Sequence, residues 1–155
     1  MIGSLVSEIK EFCVEETQKI IAELQQERFG HGGKFNDNQA WKRNAQDVIK
    51  DKGTDQPLVD TGHLESELST PSNWNLSPFD KGMKGIKITI PKTESFTESK
   101  YDKLQTGGYS DGYISARGKK MRGRELPARN FKDLSQEDAD WVVRKLVERL
   151  KEKFE

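Results

Sequence analysis

One short stretch near the end of the chain dictates two backbone conformations in succession. In Leu126-Pro127-Ala128-Arg129-Asn130-Phe131-Lys132-Asp133-Leu134-Ser135-Gln136-Glu137-Asp138, the proline locks its own φ at about −65° and drives Leu126 towards extended backbone. Ser135 then offers a side-chain oxygen as a helix cap, and Asp138, three residues on, supplies the carboxylate of a capping box. The stretch therefore predicts a rigid extended segment feeding a helix that starts near Gln136 and runs to the last residues. Ala139, Val142, Val143, Leu146, Leu150 and Phe154 recur at helical spacing and mark the expected buried side of that helix.

A second long helix is predicted at the other end of the chain. Ile2, Leu5, Ile9, Phe12, Cys13, Ile20 and Leu24 recur at spacings of three and four over 2–28, until Gly30-His31-Gly32-Gly33 stops the pattern. Residues 30–57 are polar and turn-rich, anchored by Trp41 and Val48-Ile49, with a short helix expected around 38–50. Pro57-Leu58-Val59-Asp60-Thr61-Gly62-His63-Leu64 leads into another short helix, capped by Asp60 or Thr61, with Leu64 and Leu68 one turn apart. Gly85-Ile86-Lys87-Ile88-Thr89-Ile90 alternates apolar and polar residues and is the strongest strand signal, closed by Pro91, with 68–74 as its candidate opposing strand. Residues 96–104 read as helical up to Gly107-Gly108, and 109–125 as a long loop or weak hairpin. The order predicts a single α+β domain over residues 1–155. Long N- and C-terminal helices pack on a small antiparallel β-sheet, with a mobile basic loop, and 30–56 and 109–125 are expected to be flexible.

Composition narrows what such a domain does. Charged residues make up 34% of the chain and hydrophobic residues 32%, so the core is thin and much of the surface faces water or polar partners. A mean hydropathy of −0.88 agrees. The 26 basic and 26 acidic side chains cancel, so no global field argues for nucleic acid or an anionic membrane. Locally the balance breaks: Arg117, Lys119, Lys120, Arg122, Arg124 and Arg129 crowd one span in which Glu125 is the only acid. No run approaches the roughly 20 apolar residues of a membrane span. Glu8, Glu11, Glu15 and Glu16 are unlike an export signal, so a soluble protein that is not exported is expected. The single cysteine, Cys13, allows no disulfide within the chain and points to a reducing compartment; on the apolar stripe it reads as a small buried hydrophobe.

Signatures of catalysis are absent from the sequence. There is no P-loop, GxGxxG, GxSxG or HExxH, and Cys13, His31 and His63 lack the spacing of a closed zinc site. No residue is assigned a catalytic, cofactor or metal role. His31 reads as solvated in its glycine loop, His63 as a surface or interface residue, and Glu15-Glu16 and Glu137-Asp138 as solvated helix faces. Thr61 and Ser135 read as caps, not nucleophiles. The basic span 117–129 is the one feature with functional potential on physical grounds. Its six cations, with Gly112, Gly118, Gly123, Tyr109 and Tyr113, suit a phosphate backbone and stacked bases, an acidic protein surface, or a solvated loop.

Three segments, taken in order, resemble a known family. They are Pro57-Leu58 with Thr61-Gly62-His63-Leu64 and Leu68; Tyr101-Asp102-Lys103-Leu104-Gln105-Thr106-Gly107-Gly108; and Pro127-Ala128-Arg129, Phe131, Leu134-Ser135 and Asp138. Over residues 55–150 the set resembles the phage virion morphogenesis proteins, also described as tail completion or head–tail joining proteins. Asn130 stands where that family often has a second proline, and Asp102 where it has a small residue. The resemblance implies a structural viral protein without catalysis, forming a ring of commonly six subunits at the head-proximal end of a tail. Its implied partners are its own copies, the head connector or neck proteins, and the tail tube or terminator proteins, with DNA passing through the lumen and no membrane. Its implied place is the virion neck, and the host cytoplasm during assembly. Arg117, Lys119, Lys120, Arg122, Arg124, Arg129 and Phe131 are the candidate interface residues. For Arg129 and Phe131 two roles stay open: pinning the extended segment to the fold, or reaching a neighbouring subunit. The alternative function is a small nucleic-acid-binding protein using the 117–129 span.

Overall fold

Apolar residues at helical spacing and no interior proline let Ile2–Gly30 form one continuous helix, α1. It ends where the glycines predict. Gly32 and Gly33 take positive φ (61° and 91°), and the Gly33 N–H bonds back to the Arg28 carbonyl at 2.7 Å. The computed structural model describes residues 2–53, 63–76, 86–88, 105, 107–110, 112–114, 117–127, 129, 131 and 133–155. The expected helix over 96–104, the caps Asp60 and Thr61, and Pro91 lie outside the described residues.

After α1 come α2 (Gln46–Lys52), α3 (His63–Leu68), a 3-10 turn (Pro71–Asn73), β1 (Trp74–Leu76) and β2 (Ile86–Ile88). Then follow β3 (Gly108–Ser110), β4 (Tyr113–Ile114), β5 (Lys120–Met121), β6 (Arg124–Leu126) and the terminal helix α4 (Gln136–Phe154). The helix expected around 38–50 is shorter and later. Residues 31–45 are instead held in irregular backbone by contacts described below.

The predicted architecture of terminal helices on a small antiparallel sheet is corrected. Among the described residues the fold is mostly helical and forms no continuous sheet. Among the described residues, strands pair only as three two-stranded ladders of two or three residue pairs. The reason is where the apolar residues sit. The core is Ile20, Ile21, Leu24 and Phe29 of α1, Leu64 and Leu68 of α3, and Trp41, Trp74, Phe131 and Val142. Most of it comes from helical faces, so the short strands have no shared apolar face on which to assemble. The strand signal is present as β2, paired with β1, Trp74 opposite Ile88; of the expected opposing strand 68–74 only Trp74 is in β1, because the 3-10 turn Pro71–Asn73 takes its middle, while the short helix expected before Pro71 is α3.

The two long helices pack against each other antiparallel. Phe12 meets Phe154 edge-on with centroids 5.7 Å apart, and Arg149 of α4 reaches Glu16 at 2.9 Å and Glu23 at 2.6 Å. At the opposite end the Arg28 guanidinium donates to the Asp133 carbonyl (3.1 Å), just before α4 begins. Burial on α1 runs from Thr17 to Phe29, and Ile2, Leu5 and Val6 lie beyond it, exposed. On α4 the buried side is narrower than the spacing predicts: Val142 is buried, whereas Val143 and Phe154 are exposed.

The ladders β3–β6 and β4–β5 follow one antiparallel hairpin register. Gly108 pairs with Leu126 and Ser110 with Arg124, then Tyr113 with Met121 and Ile114 with Lys120, all in a single register. The break falls at Gly112 and Gly123. A Cβ on Gly112 would sit 3.0 Å from the Met121 carbonyl oxygen, so the strands approach there too closely for a side chain. Gly118, at φ 77°, lies in the turn joining β4 to β5.

Candidate functional site

The residues singled out by sequence divide into two groups with opposite fates. Arg129 and Phe131 are interior. Arg129 is 6% exposed, and its Nε–H donates to the Lys42 carbonyl at 2.8 Å while Nη2 donates to that of Arg43 at 3.2 Å. Burial presses its basicity down, yet the two carbonyl dipoles meet the guanidinium's fixed fork of donors. Phe131 is fully buried in the core, and its N–H donates to Gln105 Oε1 at 2.8 Å. Of the two roles open for this pair, these contacts are those of residues pinning the extended segment to the fold.

The other cations lie on the hairpin. Arg117, Lys119, Lys120 and Arg122 are all exposed, and Arg124 belongs to β6, its backbone opposite Ser110. Ile114 pairs with Lys120, so both leave the same face of the ladder, and Ile114 is 69% exposed. Met121, one residue along, is buried on the other face. The hairpin thus presents an apolar side chain flanked by cations, with strand pairing at β3–β6 and β4–β5.

Asp138 does more than complete a cap. The predicted capping box is present: Ser135 Oγ accepts from the Asp138 N–H at 3.1 Å, and Asp138 Oδ2 accepts from the Ser135 N–H at 3.0 Å. The carboxylate is fully buried, however, and also accepts from Asn36 Nδ2 at 2.9 Å and Asn38 Nδ2 at 2.9 and 3.0 Å. Burial works against its charge. The Asn38 and Asn36 amides, the Ser135 N–H and the Arg28 charge outweigh it and hold the carboxyl below its ordinary range. Glu137-Asp138 is therefore not simply a solvated pair.

These bonds also link residues 36–38 to the start of α4. Trp41 is buried against Phe29, with centroids 4.9 Å apart, and its N–H donates to the Gly32 carbonyl at 2.8 Å. The Ser135 hydroxyl donates to Asp37. The segment is a strap across the start of α4.

Sequence reading missed several of these residues. Gln105 bridges two of the resemblance segments, accepting from the Phe131 N–H and donating to Asp133 Oδ2 at 3.0 Å. Nothing local marks a glutamine for that role. Arg149 had a readable signal: Glu16 and Glu23 stand two turns apart on one face of α1 and wait for a cation. Cys13 is half-buried, not buried as expected, and what burial it has pushes its thiol up. His31 Nδ1 lies 2.7 Å from the Glu27 carbonyl. Among the described residues no group of three His, Cys, Asp or Glu side chains is arranged to hold a metal ion, and no helix is long and apolar enough to cross a membrane. No protein-family model, curated protein or solved structure matches the chain.

Proposed function

We propose that this protein is an assembly subunit, a phage tail completion or head–tail joining protein that works by forming a ring at the head-proximal end of the tail, without catalysis. The observation that carries the reading is unpartnered apolar surface on both long helices. Ile2, Leu5 and Val6 of α1 are 84%, 50% and 45% exposed, and Val143 and Val147 of α4 are 57% and 43% exposed. Phe12 and Phe154 meet edge-on where the two helices pack together. Exposed apolar side chains on both long helices of a chain with so thin a core suit a binding face. The three segments, taken in chain order, give that face its context, and Leu68, Gln105, Arg129, Phe131 and Asp138 from them are buried.

The test is mass. The purified protein is expected to run as a multiple of 17.7 kDa, alone or with connector and tail tube proteins, and to appear as a ring in images of the neck. A strictly monomeric protein in the presence of both partners overturns the reading.

A second reading rests on the exposed Arg117, Lys119, Lys120 and Arg122, which suit a nucleic-acid backbone. It requires DNA retention at low salt that falls steeply as salt rises, with a shallower slope in Arg122→Ala/Arg124→Ala.

A further inference from the structure

On the hairpin an exposed apolar side chain stands in a stretch whose only charges are positive. Ile114 closes β4, is 69% exposed, and lies opposite Lys120, the first residue of β5, on the same face of the ladder. A lone apolar residue at a surface is ordinary; the neighbourhood of this one is not. The turn between the two strands carries the exposed Arg117 and Lys119. The exposed Arg122 follows Lys120 by two residues and so shares its face of the strand. From Gly112 to Arg124 the sequence holds no acidic residue. Gly112, two residues before Ile114, has no side chain, and an added Cβ would lie 3.0 Å from the Met121 carbonyl oxygen. No side chain at that position shields Ile114, while Met121, on the opposite face, is buried in the protein.

We propose that the hairpin is a wedge for double-stranded DNA: Lys120 and Arg122 hold phosphates beside the minor groove, and Ile114 enters between two base pairs and kinks the duplex. Two-stranded ribbons are among the elements that reach base pairs through a groove. Proteins that bend DNA from the minor groove insert an apolar side chain, isoleucine among them, and use basic residues beside it. Charge and apolar area together choose the ligand. A stretch without acids suits a polyanion. One isoleucine is too little apolar area for a lipid surface, where stable anchoring takes two signals, but a single side chain is what one opened base step admits. The contact reads no base edge and favours steps that unstack readily, such as TA. The inference rests on the nucleic-acid reading given above and adds a deformation of the duplex to what would otherwise be contact with its backbone alone.

Bending tests it. The probe is a duplex of about 30 base pairs with a central TA step and a fluorophore at each end, mixed with the full chain at low salt. Binding is expected to kink it by about 20–90° and to raise energy transfer between its ends. Lys120→Ala/Arg122→Ala is expected to weaken binding and to lower the slope of log affinity against log salt by about 2. Ile114→Ala changes no charge, so it is expected to keep that slope, to lose the bend and to bind about tenfold more weakly. Ile114→Leu is expected to bend the duplex as the wild type does. All of these variants alter exposed side chains, and an unchanged urea midpoint shows that they fold. Binding without a rise in energy transfer, equal in wild type and Ile114→Ala, overturns the wedge and leaves the nucleic-acid reading standing. No retention of the duplex at low salt overturns both. Capture by vesicles of phosphatidylserine and phosphatidylcholine that Ile114→Ala abolishes, with no duplex retained, overturns both in favour of a lipid surface.

Discussion

The Nε–H of Arg129 points at the backbone carbonyl of Lys42, 2.8 Å away and 87 residues earlier in the chain. That bond, with its companion to Arg43, fastens the strap before α2 to the extended segment before α4. Arg129→Ala removes both donors and leaves a void. It is expected to lower stability by about 2–3 kcal/mol, read as a shift of the urea midpoint with unchanged slope. Arg129→Lys keeps the charge but not the fork, so it is expected to recover only part of that loss. A midpoint unchanged in the alanine variant would return Arg129 to the list of interface candidates.

Asp138 gives the fold a dependence on acid. Its carboxyl is held below the ordinary range in the folded chain, so its contribution is fully present above the unfolded carboxylate value and is lost as pH falls through the lower folded value. Stability is therefore expected to decline below about pH 4. Asp138→Asn should be less stable at neutral pH, since its amide sets donors against the Asn36 and Asn38 donors, and its acid decline should be shallower. Part of the decline remains in the variant because Glu16 is also held low: burial opposes its charge, and the bonds from Lys19 and Arg149 prevail. Denaturation midpoints measured from pH 3 to pH 7 in both proteins check the sign. Parallel curves would show that Asp138 does not titrate with unfolding.

How much of this was readable depended on the range of each interaction. The box between Ser135 and Asp138 spans three residues and was legible because capping is local. The span of α1 and its glycine stop were legible for the same reason. The bonds Asn38–Asp138, Arg129–Lys42 and Phe131–Gln105 join residues 100, 87 and 26 apart, and such pairings leave no periodic trace. That is why 31–45 read as slack chain. The sheet was over-read because alternation in 85–90 reports a strand but not how many others join it. Periodicity likewise marked Ile2, Leu5 and Val143 as apolar, and only the structure shows that α4 and α1 leave them uncovered.

Gly33 and Gly53 share a positive φ, 91° and 76°, and differ in surroundings. At Gly53 nothing lies within 4 Å of an added Cβ, so Gly53→Ala is expected to cost only the left-handed strain, about 1 kcal/mol. At Gly33 the added Cβ would lie 2.6 Å from the buried Trp41 ring, which must then leave Phe29. Gly33→Ala is expected to cost about 3 kcal/mol or more and to change the tryptophan fluorescence of the folded protein. Equal losses at the two sites would mean that Trp41 does not pack there.

The Arg149 fork ties α4 to two glutamates on α1, but the Glu23 side chain is 47% exposed, so water and salt screen much of the attraction. Arg149→Met keeps the aliphatic stem and removes the charge. The expected loss is about 1 kcal/mol at low salt, shrinking as salt is added. A double-mutant cycle with Glu16→Gln should return a coupling below that figure. A loss that does not respond to salt would assign the effect to packing.

Gln25 lies fully buried on α1, and neither its amide nitrogen nor its oxygen has a hydrogen-bond partner among the described residues; Thr17 Oγ1, two turns earlier on the same face, is in the same position. A buried amide without partners costs its desolvation energy and returns nothing. Methionine is close to glutamine in length, is likewise unbranched at Cβ and Cγ, and adapts to an irregular site, so Gln25→Met removes the cost without opening a cavity. The variant is expected to gain about 1 kcal/mol, seen as a higher urea midpoint at constant slope. The gain should be independent of pH, since no titrating group is changed. If the same variant instead loses stability while remaining monomeric, the amide must be bonded in solution, and the α1 face from Thr17 to Gln25 holds a polar contact that the isolated fold needs.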